Sequence, residues 1–305
     1  MFHVEPSPME QLAACPICAS NDLRTFLGVT DHSVSQEAFP LVDCQGCGFR
    51  FTNPRPGPQA IGRYYASDEY ISHTNAARTL RDRVYQLARR HNIRNKHQLV
   101  RHHRANGRVL DIGCGTGEFL AYLGSRGYIV EGVEPDLGAR EQAIANHSLN
   151  VVPSLVHVPA REQFHVVTLW HVLEHLHDLR GTLKKAHALI EDHGLLIIAV
   201  PDRASWDALH YGGAWAAYDV PRHLYHFRRK DVLRLLEEHG FESLETHRMW
   251  LDAFYVAMLS EQYRGASRPM AFIKGLLIGA WSNLVALFTR RCTSSSLFVA
   301  RKTKI

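Results

Sequence analysis

The stretch from Gly107 to Tyr128, "GRVLDIGCGTGEFLAYLGSRGY", constrains this chain most. A short apolar run, a turn carrying Gly113, Cys114, Gly115 and Gly117, and a helical pattern from about Gly117 predict a strand–turn–helix unit. Glycines permit a tight turn and close approach of a ligand to the backbone, and the N–H groups that open a helix face the bound group. The spacing is GxGxG, and Glu118 stands where a dinucleotide fingerprint needs its third small residue. Asp111 at the strand end would repel a pyrophosphate and welcome an ammonium group. The next strand, "YIVEGVEP" (128–135), ends in Glu134, 23 residues after Asp111. An acid at that place can accept hydrogen bonds from both hydroxyls of a ribose.

Further strands are expected near 150–152, 165–170 and 194–200, alternating with helices, and "GFESLETHRMW" and "SSSLFVARK" read as the last two. The fold class that follows is α/β, a doubly wound, Rossmann-like, mostly parallel sheet. Ligands of such sheets lie at the carboxyl ends of the strands.

Four of the six cysteines form two pairs, "CPIC" (Cys15, Cys18) and "CQGC" (Cys44, Cys47). A two-residue gap lets both thiolates of a pair reach one tetrahedral ion, so two such knuckles predict a closed structural zinc site. A redox CxxC is the rival, and a pair of pairs argues against it. The expected organisation is a zinc ribbon over 1–54, a linker, lid and basic helix over 55–105, and the α/β domain over 106–305. Residues 78–108 hold ten Lys/Arg against Asp82 alone, with Val84, Leu87, Ile93 and Leu99 as apolar anchors. That basic face is either solvated or attractive to phosphates or an anionic membrane.

Together "DIGCGTG" and "GVEP" resemble the first motif and the ribose-binding acid of class I S-adenosylmethionine-dependent methyltransferases. The paired-CxxC ribbon resembles that of deoxysugar C-methyltransferases. "HVLEH" (171–175) and "PRHLYHF" (221–227) resemble bacterial methyltransferases of sugar and surface-polysaccharide pathways. The resemblance covers most of residues 13–243 and the closing strand. It implies S-adenosylmethionine as cofactor, with Gly113, Gly115 and Gly117 lining the methionine moiety and Asp111 in or near that contact. It implies methyl transfer to oxygen or carbon of a small-molecule or sugar-linked acceptor.

Methyl transfer is an in-line displacement that needs positioning, and a base helps when the acceptor is a hydroxyl or acidic carbon. His171, just after the fourth strand, is the expected base or cofactor contact, with Glu174 orienting it at i+3. In "YYASDEYISH", Tyr65 and Tyr70 are expected to cover the cofactor. The loop "DVPRHLYHF" (219–227) follows a Trp- and Gly-rich passage and is expected at the site mouth. There Arg222 would clamp an anionic group, His223 and Tyr225 would serve as acid/base groups, and His226 is more structural.

The segment "AFIKGLLIGAWSNLVALFTRR" (271–291) reads as too short and interrupted to span a membrane. Ile273, Leu277, Trp281, Leu284 and Phe288 share one face, which would pack on the domain or a partner copy, or rest on a membrane. No apolar signal region opens the chain, so a cytoplasmic, possibly membrane-associated location is expected. A net charge of +5 is modest for a nucleic-acid binder, and an RNA-binding or RNA-methylating protein is the second reading.

Overall fold

The chain is described by a computed structural model over residues 9–65, 80–159, 161, 163–289 and 291–303, without the side chains of 80–88. Beside a two-residue pairing of Met9–Glu10 with Arg55–Pro56, strands β1 (Leu23–Thr30), β2 (Ala38–Cys44) and β3 (Arg50–Thr52) form an antiparallel sheet. A fourth strand completes it from far along the chain. Tyr225–His226 pairs with β3, placing Tyr225 opposite Phe51 and His226 opposite Arg50.

Helix α1 (Leu80–His103) then leads into the larger sheet. Ile93 and Leu99 pack against the sheet's apolar cluster as expected, and Val100 is fully buried in it. Several of the segment's cations meet acids of the α/β domain. Arg89 pairs with Glu118, Arg104 with Glu191 at 2.8 Å, and Arg108 with Glu131 at 2.6 Å. Arg90, Arg94 and Arg101 remain exposed.

The larger sheet holds β4 (Arg108–Ile112), β5 (Ile129–Val133), β6 (Asn150–Val152), β7 (Phe164–Trp170) and β8 (Ile190–Pro201). Helices α2 (Glu118–Gly124), α3 (Leu137–His147) and α4 (Leu179–Leu189) connect them. After β8 come α5 (Trp206–Tyr211), the short β9 (Tyr225–His226) already described, and α6 (Arg229–Glu238). Strands β10 (Phe241–Arg248) and β11 (Ser295–Lys302) close the sheet, with helices α7 (Asp252–Tyr263) and α8 (Arg268–Phe288) between them. The order is β10-β11-β8-β7-β4-β5-β6, parallel except where β11 enters between β10 and β8. The β4–β8 strands are near-continuous apolar runs because helices cover both faces.

The two sheets share one hydrophobic core, in which Ile17, Val42, Phe49 and Phe51 lie with Leu110, Leu169 and Phe298. A buried ion network ties them further. The Arg222 guanidinium bridges Asp31 (3.0 Å) and Asp219 (2.6 Å) and donates to the Tyr64 carbonyl (2.7 Å). This corrects the expectation that Arg222 clamps an acceptor, because its donors already serve three segments of the protein. Tyr225 is corrected likewise. It lies in β9 among Phe49 and Phe227, and its hydroxyl donates to the His177 carbonyl.

Removing one partner from a buried pair leaves an uncompensated charge, at a cost of about 3–5 kcal/mol. Arg222→Met is expected to lose that much in urea denaturation. Arg63→Met, from an exposed pair with Glu37, is expected to lose less than about 1 kcal/mol. Equal losses would refute the account of Arg222 as the inter-sheet tie.

Candidate functional site

The glycine turn sits at the carboxyl end of β4 and is pinned to β5. Gly113 N and Cys114 N both donate to the Val133 carbonyl, at 2.7 and 3.1 Å. Three turn glycines have positive φ, and their surroundings differ. A Cβ on Gly113 would lie 2.4 Å from Val172, and one on Gly117 would lie 2.5 Å from Leu149. A Cβ on Gly115 would meet nothing within 4 Å. Gly113 and Gly117 are thus fixed by packing against protein, whereas Gly115 opens on free space that a ligand can fill. Cys114 turns its thiol inward against Gly132 and Leu120, so only its backbone is available to a ligand.

Glu134 is buried at the end of β5 and accepts from Gly115 N (2.8 Å) and Asp136 N (2.9 Å). Burial raises its pKa against the pull of those two N–H groups. The acid is therefore fixed beside the open glycine with further lone pairs for hydroxyl donors. Asp111 lies beneath the turn, accepting from Thr168 Oγ1 at 2.5 Å. Burial pushes it up to about 7, opposed by the Thr168 hydrogen bond and the Lys96 charge. Lys96, from α1, is brought down to about 8 by burial while Asp111 and Asp252 oppose the shift. Its ammonium lies 4.4 Å from the centre of the Trp170 ring.

Val172, which touches Gly113, carries the neighbouring histidine region to the same place. His171 adopts φ +56 and hangs by its N–H on the Ala199 carbonyl (2.9 Å). Its ring stands between Glu174 (Nδ1 to Oε1, 3.5 Å) and Asp252 (Nε2 to Oδ2, 3.3 Å). Burial disfavours its charge, but its pairing with the Asp252 and Glu174 carboxylates overcomes this and holds its pKa at about 10. This setting favours the imidazolium form of His171, which argues against its expected role as the base. Asp252 has no local motif to announce it, being 81 residues from His171 in sequence.

Glu174 is fully buried, and neither carboxylate oxygen has a hydrogen-bond partner among the described residues. Histidines surround it instead. His223 Nε2 lies 4.0 Å from Oε1, the His175 ring packs edge-on against His223 at 4.6 Å, and donor atoms of the three lie within 4.8 Å of one another. His223 Nδ1 donates to the Ala217 carbonyl (2.9 Å), which leaves the lone pair on Nε2. Burial lowers His175 to about 4. Tyr65 reaches this cluster, its hydroxyl 3.0 Å from His175 Nδ1, and Tyr70 lies outside the described residues. Of the residues expected at the site, His171, Glu174, His223 and Tyr65 lie together, whereas Arg222 and Tyr225 are engaged by other parts of the protein. Sequence reasoning missed Lys96, whose signal was a cation between Ile93 and Leu99 on the buried side of α1.

The four paired cysteines also converge. Sulfurs on a tetrahedral zinc at about 2.3 Å stand about 3.8 Å apart. Cys15 and Cys47 sulfurs are 3.6 Å apart, those of Cys18 and Cys44 are 3.4 Å apart, and all four lie within 4.8 Å. The donor set and spacing fit the ion. Burial pushes the Cys15 thiol up, whereas the Cys47 N–H and neighbouring sulfurs outweigh burial at Cys44 and bring it to about 7. Arg180, Arg203 and Arg228 donate to the knuckle carbonyls of Ile17, Gly48 and Cys47.

Strand order, glycine turn and acid-ended second strand define the fold of the class I S-adenosylmethionine-dependent methyltransferases. The chain belongs to the methyltransferase-domain family, whose profile it matches over residues 81–246. A ubiquinone biosynthesis O-methyltransferase of Glaesserella parasuis is 27% identical over 157 residues, covering 45% of this chain and 66% of that protein. Its counterpart in Bradyrhizobium diazoefficiens is 31% identical over 117 residues, 36% of this chain and 46% of that one. The chain thus spans less than two thirds of the length of these curated relatives. The magnesium protoporphyrin IX methyltransferase of Synechocystis shares the fold at TM-score 0.53 and 14% identity, covering 80% of this chain and all of that one.

At neutral pH the charged His171 stabilises the fold. Its pKa is raised above the ordinary 6.5, so this contribution is fully present below 6.5 and lost as pH rises through about 10. Thermal midpoints are expected to fall as pH rises from neutrality toward 10, and His171→Gln to flatten that fall. An NMR titration showing His171 neutral at pH 7 would contradict the clamp.

Proposed function

We propose that this protein transfers a methyl group from S-adenosylmethionine to oxygen or carbon of a small-molecule acceptor. The observation that carries the reading is the open Gly115 turn with Glu134 on one side and the His171–Glu174–His223 cluster next to it. The cofactor, when bound, supplies an electrophilic methyl on a sulfonium. Gly115, with the backbone of Cys114 beside it, would hold its amino-acid part, and Glu134 its ribose hydroxyls. Asp111 is a buried carboxyl below that contact, and Tyr65 closes the side nearest His175.

His223 serves as the base in this reading. Its Nε2 lone pair faces two carboxylates, Glu174 at 4.0 Å and Asp219 at 3.9 Å, which stabilise the imidazolium formed when it takes the acceptor's proton. His171, already a cation, orients Glu174 and offers a positive charge to the oxyanion or carbanion so formed. The ubiquinone-pathway names of the relatives favour a hydroxyl acceptor, and the ribbon and "PRHLYHF" resemblance favours a sugar-linked one. The alternative of RNA binding is the weaker reading, since Arg89, Arg104 and Arg108 of the basic segment are paired with acids of the domain.

A structural zinc belongs to the same proposal. Four thiolates on a divalent ion carry a net charge of −2, and the three arginines on the knuckle carbonyls offset it.

Calorimetry is expected to show S-adenosylmethionine binding that Glu134→Ala weakens about tenfold or more, since hydrogen bonds to a charged group contribute roughly 1.5–3 kcal/mol. Absence of binding by the wild type would sink the enzyme reading. Across a panel of phenolic and nucleotide-sugar acceptors, His223→Gln is expected to lower kcat by about 10²–10⁴ with cofactor affinity unchanged. Chelation is expected to release zinc and lower the thermal midpoint, and a zinc-free protein of unchanged stability would refute the ribbon.

A further inference from the structure

Helix α8 is built inside out for a helix of a water-soluble surface. Its 21 residues run unbroken from Arg268 to Phe288, long and apolar enough by length and composition to cross a membrane. This corrects the expectation of a short, interrupted segment. The side turned to the protein is a stripe of small residues, Ala271, Gly275, Gly279, Ser282 and Ala286. A Cβ on Gly275 would lie 2.6 Å from the Met258 backbone, and one on Gly279 would lie 2.8 Å from that of Phe254. Close approach of α7 thus admits only small residues there.

The large side chains point away. Ile273 is 54% exposed, Leu277 67%, Trp281 53%, Leu284 42% and Phe288 79%. Soluble amphipathic helices bury such a face, and a continuous exposed one marks a binding surface. Spanning a bilayer is excluded by the packing on α7 and by the pairing of β10 with β11, which returns both ends of this helical excursion to neighbouring strands.

Charge says what covers the face. No acid follows Glu261 in the sequence, and α8 contains none. Beyond its C-terminal end lies a groove of about 670 Å³ lined by Arg228, Arg229, Lys230, Arg248 and Arg291, with Trp250 at its edge. Arg228 is held by Asp231 at 2.9 Å, and Asp202, the lining acid, is buried with its carboxylate on Ala204 N and Ser296. The groove joins the apolar face through Asn283, whose amide donates to the Trp250 carbonyl at 2.8 Å.

We propose that the outer face of α8 and this groove together dock on the surface of an anionic lipid bilayer. The apolar side chains enter the headgroup–acyl boundary, and Arg229, Lys230, Arg248 and Arg291 meet lipid phosphates. A second copy of the chain is the poorer occupant, because a two-fold contact on this face would bring two basic grooves toward each other. The inference does not rest on the methyl-transfer reading.

Flotation of the full chain with vesicles tests it. The protein is expected to float with phosphatidylglycerol–phosphatidylcholine vesicles, at least about tenfold less with phosphatidylcholine alone, and less at high salt. Leu277→Gln combined with Phe288→Gln is expected to abolish flotation, and Arg248→Glu with Arg291→Glu to remove the lipid preference, both with an unchanged thermal midpoint. Failure of the wild type to float with the anionic vesicles at low salt overturns the proposal. So does a dimer by light scattering that Leu277→Gln dissociates.

Discussion

The Arg222 guanidinium is the interaction on which the arrangement of the two sheets depends. It is surrounded by Asp31 from the N-terminal module, Asp219 from its own loop and the Tyr64 carbonyl from the segment before α1. A buried cation is tolerated only when its donors are met, and here three separate segments meet them. Once that ion network is set, Tyr65 stands beside His175 and His223 stands beside Glu174. The geometry of the site thus follows from a contact in which no reacting group takes part.

Within the site the controlling group is Glu174. A fully buried carboxylate is costly unless cations or donors answer it, and here the surrounding histidines, His171 first, outweigh burial and lower its pKa. One of them, His171, is also faced by Asp252 and is held charged, whereas burial keeps His175 neutral. Two histidines four residues apart in one motif are shifted in opposite directions because their neighbours differ. Such divergence gives a site both a fixed positive charge and an uncharged ring.

The parts of this structure that were legible in the sequence are those encoded locally. The glycine turn, the acid after β5, the cysteine knuckles and the apolar strands each declare themselves within about a dozen residues. The loop "DVPRHLYHF" did not, because its partners Phe51, Asp31 and Tyr64 lie more than 150 residues away. A loop rich in Arg, His and Tyr looks chemically reactive until its donors are found already engaged. The strand it supplies is only two residues long, Tyr225–His226, too short to show a period in the sequence. The protonation of His171 was likewise unreadable, since it depends on Asp252 across the sheet end.

The insertion of β9 beside β3 has a consequence for how the chain is made. Three strands of the N-terminal sheet leave the ribosome early, but the fourth is encoded after β8, when most of the parallel sheet has already been synthesised. The cysteine-bearing module therefore cannot reach its final form as an independent first product of translation. Its edge stays unpaired until the α/β domain supplies the missing strand, so completion of the small sheet reports that the large one has been assembled.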